Sequence, residues 1–182
     1  PPTGRSEIEH MSLFDSSEAK SRTVMLPSNR NGSSVGAENA SIMVGCVSEL
    51  DCQVLAFDPL RVDWPSDIRR AELEEILCQP VISLHANLHE HGAHATRGLL
   101  DADRAEQMVA ALSERKDGGL LINAGRGDLM TLEALTRLVD SPWTVILDTW
   151  PGEPSLSADL LSRCDWVSPH IAGHSIRARE NG

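Results

Sequence analysis

Arg126, Glu153 and His170 are the residues whose types and settings point to chemistry. Each follows a short apolar run (120–122, 145–147 and 166–167) and sits in a corner marked by Gly or Pro. The corners read Asn-Ala-Gly-Arg-Gly, Trp-Pro-Gly-Glu-Pro and Pro-His-Ile-Ala-Gly. A guanidinium is always charged and can grip a substrate carboxylate through two parallel hydrogen bonds. An imidazole can move a proton at neutral pH, and a carboxylate beside it can orient the ring and favour its charged form.

These corners need a frame that brings them together. Residues 54–57, 81–84, 120–122, 145–147 and 166–167 read as strands. Residues 68–79, 103–115 and 131–139 read as amphipathic helices, the first with Ile68, Ala71, Leu73, Ile76 and Leu77 on its apolar face. Alternating strands and helices predict an α/β fold, and an open parallel sheet gathers its ligands outside the carboxyl ends of its strands. Residues 1–23 show no sustained period and read as a mobile tail. Residues 24–50 allow two readings: a strand at 42–44 with Gly45 opening a phosphate loop, or a helix capped by Ser34 and running to about Leu50.

The composition narrows the partners. A net charge of −11 with a pI near 5.0 disfavours nucleic acid and acidic membrane surfaces. Cys46, Cys52, Cys78 and Cys164 form no Cys-x-x-Cys pair, and the first residues carry no signal-peptide pattern, so reduced thiols in the cytoplasm are expected. No apolar run approaches the roughly 18–20 residues that span a bilayer. A chain of 182 residues is long enough for one domain with a sizeable core and short for two.

The three corner motifs, in this order and at these intervals, resemble the cofactor domain of the NAD-dependent D-isomer-specific 2-hydroxyacid dehydrogenases. Ser83-Leu84-His85, residues 92–97 and Leu99-Leu100-Asp101 also resemble its erythronate-4-phosphate dehydrogenase subgroup, which serves vitamin B6 biosynthesis. The resemblance covers roughly residues 51–177. It implies an incomplete Rossmann-like, doubly wound parallel sheet. Residues 1–33 would be a disordered tail or remnant of a substrate domain, 34–50 an interdomain helix, and 51–182 a partial NAD-binding domain. The implied reaction is oxidation of a 2-hydroxy acid, plausibly phosphorylated and specifically 4-phospho-D-erythronate, with NAD as cofactor and a homodimer as a possible assembly.

The resemblance also distributes roles. Arg126 holds the substrate carboxylate, His170 takes the hydroxyl proton, and Glu153 supports the imidazolium. Asp58 binds the adenosine ribose, Ala124, Gly125 and Gly173 approach the cofactor, and Asp148 faces the nicotinamide carboxamide. His174 is a substrate contact standing where the subgroup commonly has Tyr. His85, His89, His91 and His94 fall within ten positions, but no carboxylate or thiolate recurs at a ligand interval, so they read as a polar loop at the cofactor rim and no metal is expected. The Gly-x-Gly-x-x-Gly fingerprint is absent, since Gly45-Cys46-Val47-Ser48-Glu49-Leu50 holds one glycine where three are needed. A second expectation follows, that of an inactive remnant or scaffold fragment with its catalytic corner intact.

Overall fold

The computed structural model describes residues 21–23, 53–62, 64, 66, 68–115, 118–155 and 157–172. Its strands are β1 (Ser21–Thr23), β2 (Gln53–Ala56), β3 (Ile68–Arg70), β4 (Val81–Leu84), β5 (Gly119–Asn123), β6 (Trp143–Leu147) and β7 (Trp166–Val167). Four helices connect them: α1 (Leu73–Leu77), α2 (Ala102–Arg115), α3 (Leu132–Val139) and α4 (Ala158–Ser162). Every pairing is parallel, in two sheets of order β1-β2-β3 and β4-β5-β6-β7. β1 lies beside β4, which gives the reversal of strand order that defines a doubly wound fold. The α/β, Rossmann-like class is therefore observed.

The core forms where the strands of the second sheet meet α2 and α3. β6 buries Trp143, Val145 and Leu147 on one face, and β5 buries Leu121. Ala105, Met108 and Leu112 of α2 and Ala134, Leu135 and Leu138 of α3 close over them. Replacing Leu121 or Leu147 by Ala costs about 2–5 kcal/mol by the usual rule for buried leucines. The helix starts are capped as the sequence allows. Asp101 Oδ1 accepts from Arg104 N at 2.9 Å, and Thr131 Oγ1 accepts from Ala134 N at 3.1 Å.

Three elements differ from expectation. Ser21–Thr23, assigned to the tail, pairs with Gln53–Leu55 in parallel register, held by backbone bonds that a Ser-Arg-Thr run does not advertise. The helix expected over 68–79 is a strand followed by a single short helix. Ile68 pairs with Val54, Ala71 N donates to Ala56 O at 2.9 Å, and only Leu73–Leu77 is helical. Ile68 and Ala71 point into the core from an extended chain, so burial was read correctly there and period was not. Helix α4, capped by Ser157, was not foreseen. Both readings of 24–50 lie outside the described residues. Among the described residues, no helix is long and apolar enough to cross a membrane.

Candidate active site

β5 ends in Asn123, whose fully buried side chain builds the first corner. Its Oδ1 accepts from Gly125 N at 3.2 Å, and its Nδ2 donates to Arg126 O at 3.1 Å. Asn123 O accepts from Asp148 N at 2.9 Å, which ties this corner to the end of β6. Sequence reasoning passed over Asn123. Its signal was an Asn at a strand end followed by small residues, the setting of an Asx turn.

Arg126 stands exposed at the tip of the corner, with Ala124 half-buried nearby, and its Nη1 donates to Gly125 O at 2.9 Å. The flanking glycines answer to the protein's own backbone. A Cβ on Gly125 would lie 3.1 Å from Leu84 O and 3.5 Å from Ala86 O, and one on Gly127 would overlap the Trp150 backbone. Glycine is needed at both positions because neighbouring chain stands where a side chain would go, and the Gly125 N–H is committed to Asn123.

Asp148, 6% exposed, organises the loop after β7. Its Oδ1 accepts from Ser168 Oγ at 2.6 Å and Ile171 N at 2.8 Å, and its Oδ2 accepts from Ala172 N at 2.9 Å. Burial pushes this carboxyl up, but the three donors and the neighbouring His170 outweigh it and hold Asp148 below the usual carboxylate range. A carboxylate has about four acceptor positions, and these donors take three of them.

The same loop sets His170 in a left-handed backbone conformation, φ +52°. Such a conformation costs a non-glycine residue on the order of 1–3 kcal/mol. His170 N donates to Asp148 O at 2.9 Å and Ser168 O at 3.0 Å, while the Asp148 carboxylate holds the two residues that follow. The strain is thereby retained, and the ring is aimed at Glu153.

Glu153 Oε2 lies 2.9 Å from His170 Nδ1, and Glu153 Oε1 accepts from Trp150 N at 3.1 Å. With a carboxylate on Nδ1, the neutral ring carries its proton there, and Nε2 is left as the acceptor. Nε2 makes no hydrogen bond with the described residues, and the His170 side chain is 48% exposed. Gly152 N, one residue before Glu153, donates to Asp128 Oδ1 at 3.1 Å. The Arg97 guanidinium bridges Asp128 and Glu90. The Gly152 amide first, and Arg97 with it, hold Asp128 below the usual carboxylate range against the effect of burial. Asp128 and Arg97 are further residues that the sequence reading did not single out for this site.

Asp58 lies apart from this cluster, at the end of β2. It is 3% exposed, and its Oδ1 accepts from Leu60 N at 3.1 Å. It borders a cavity of about 200 Å3 walled by Phe57, Leu60, Leu73, Ala86 and Leu99 at the ends of β2 and β4, where Arg126, Glu153 and His170 take no part in the lining. His85 Nε2 is 2.8 Å from Ser83 Oγ, and His89, His91 and His94 are exposed. Among the described residues, no three His, Cys, Asp or Glu side chains are grouped to hold a metal ion. Gly173 and His174 lie outside the described residues.

Residues 34–172 match the D-isomer specific 2-hydroxyacid dehydrogenase family over its NAD binding domain. The chain belongs to this dehydrogenase family. Similar relatives include the erythronate-4-phosphate dehydrogenase of Pseudomonas paraeruginosa, 38% identical over 143 residues that make up 77% of this chain and 36% of the relative. The enzyme of that name from Marinobacter nauticus is 39% identical over 155 residues, 81% of this chain and 37% of the relative. The chain thus spans little more than a third of the length of these relatives. In fold it is similar to a D-lactate dehydrogenase from Sporolactobacillus, with a TM-score of 0.66 and 23% identity over 90% of this chain and 50% of the other. A formate dehydrogenase from Staphylococcus aureus, solved with NAD, gives a TM-score of 0.65 and 18% identity over 90% of this chain and 45% of the other.

For a domain of the 2-hydroxyacid dehydrogenase family the cofactor is NAD. The described residues fit its adenosine half. Leu60, Leu73, Ala86 and Leu99 offer apolar walls to a base, and Asp58 borders them as an acceptor suited to ribose hydroxyls. The cavity volume of about 200 Å3 falls below the roughly 300–1,000 Å3 typical of pockets for drug-sized ligands, which suits one nucleoside better than a whole dinucleotide.

Proposed function

We propose that this domain serves the NAD-dependent oxidation of a 2-hydroxy acid, with 4-phospho-D-erythronate as the substrate and vitamin B6 biosynthesis as the setting. The carrying observation is the 2.9 Å contact of Glu153 with His170 Nδ1, which leaves Nε2 as the basic atom of a half-exposed ring. His170 Nε2 accepts the substrate hydroxyl proton, and Glu153 stabilises the imidazolium that results. The Arg126 guanidinium exchanges its bond to Gly125 O for a bidentate grip on the substrate carboxylate. The Asp148 carboxylate receives the carboxamide of the cofactor, and Asp58 its adenosine ribose. Bound NAD supplies the acceptor for the hydride that leaves C2. The phosphorylated substrate is suggested by the relatives, whose names specify erythronate 4-phosphate. A cytoplasmic homodimer belongs to the same reading.

Calorimetric titration of NADH into the wild-type chain and Asp58→Ala tests this. Micromolar binding that weakens by about tenfold or more in the variant is expected, because hydrogen bonds to a charged group contribute about 1.5–3 kcal/mol. Absence of heat up to millimolar NADH sinks the proposal. It would favour the second reading, a scaffold fragment, which is supported by the single glycine at 45–50 where a dinucleotide fingerprint needs three.

A further inference from the structure

A chain of hydrogen bonds crosses the loops that follow four successive strands. After β4, Glu90 and Arg97 pair at 2.7 Å, and Arg97 N donates to His89 O at 3.1 Å, so the guanidinium is anchored at its base and its tip. Arg97 reaches on to Asp128, in the corner after β5. Asp128 takes Gly152 N at 3.1 Å in the loop after β6, and the next residue, Glu153, meets His170 after β7. Gly152 adopts φ +77°, a conformation that glycine tolerates readily.

We infer that Asp128 is a positioning residue for the acid–base pair: locked by Arg97, its carboxylate holds the Gly152 amide and so fixes Glu153 against His170. This rests on the pair described under Proposed function. The Glu153 carboxylate has one further hold, from Trp150 N, which lies within the same loop and cannot fix that loop relative to β5. Asp128 provides this fix from outside, 24 residues away in sequence. The Arg97–Asp128 ion pair by itself adds little to global stability. The Arg97 and Asp128 side chains are 46% and 32% exposed, and ion pairs in such settings contribute little.

The test reads which imidazole nitrogen of His170 carries the proton, by long-range 1H–15N correlation on the labelled full chain at alkaline pH, with urea unfolding alongside. The wild type is expected to show the Nδ1–H tautomer. Asp128→Ala is expected to lower the Nδ1–H share by about twofold or more, toward the Nε2–H form that an unconstrained side chain favours, with a cooperative urea transition retained. Asp128→Asn keeps an Oδ1 for Gly152 N but sets an NH2 against Arg97, so it is expected to lower the Nδ1–H share less than Asp128→Ala does; loss as complete as in Asp128→Ala would overturn the inference. If Asp128→Ala does not fold, Arg97→Met decides, since it releases the lock and is expected to lower the Nδ1–H share as well. An unchanged tautomer in these variants, with Glu153→Ala losing it, overturns the role of Asp128 alone. An unchanged tautomer in Glu153→Ala as well removes the pair itself.

Discussion

A Cβ on Gly127 would stand 1.9 Å from Trp150 O and 2.3 Å from Trp150 C. Backbone on both sides leaves no flexible side chain to yield. Gly127→Ala is therefore expected to lower unfolding stability by about 1–3 kcal/mol or more, the usual range for overpacking, and to move the loop that carries Glu153. Urea denaturation measures it, and a midpoint equal to wild type would show that the two corners are not in contact.

Burial pushes His85 below the ordinary histidine value. Its neutral form is the one the fold accepts, so the unfolded chain takes up the proton first as pH falls through about 6.5. The stabilising contribution is complete above that pH and declines below it. Urea midpoints recorded between about pH 7.5 and 5 should drop in the wild type and flatten in His85→Gln. Parallel curves would exclude His85 as the source of the slope.

Asp148 titrates in the opposite sense of charge. Burial raises this carboxyl, but hydrogen bonds from Ser168, Ile171 and Ala172 lower it further, so its folded value lies below its unfolded one. Its stabilisation is present above about pH 4 and is lost as pH falls through the folded value. Asp148→Asn should destabilise at neutral pH, because an amide group cannot satisfy all three donors, and should shrink the acid loss below about pH 4. Equal acid slopes in variant and wild type would refute the assignment.

On the proposed chemistry, His170→Gln should reduce kcat by about 10²–10⁴-fold, the usual worth of a general acid–base, with a small change in KM. Arg126→Lys should act mainly on KM, since a lysine keeps the charge and loses the bidentate fork. NADH formation with 4-phospho-D-erythronate is the assay, and a His170→Gln variant as active as wild type would end the base assignment.

The elements that the sequence displays openly are those with a strong apolar period. Residues 103–115 and 131–139 read as helices because Met108 and Leu112, or Leu135 and Leu138, recur on one face, and helices α2 and α3 are found there. Residues 68–79 misled because Ile68 and Ala71 extend the apolar spacing of the helix Leu73–Leu77 while lying on an extended strand and the link after it. Ser21–Thr23 carries no apolar residue, so only its backbone pairing with β2 reveals it.

The sequence by itself determined the class of the fold, the three corners with Arg126, Glu153 and His170, and the family that their spacing resembles. These follow from local chemistry: apolar runs, glycine and proline punctuation, and reactive side chains at strand ends. Only the tertiary structure decided that Glu153 meets Nδ1 of His170, that Asp148 holds the strained His170 loop, and that Asp128 ties three strand-end loops together. Each of these is a contact between residues 17 to 31 positions apart. Such contacts depend on the order in which parallel strands are laid side by side, and no period within one strand or helix encodes that order.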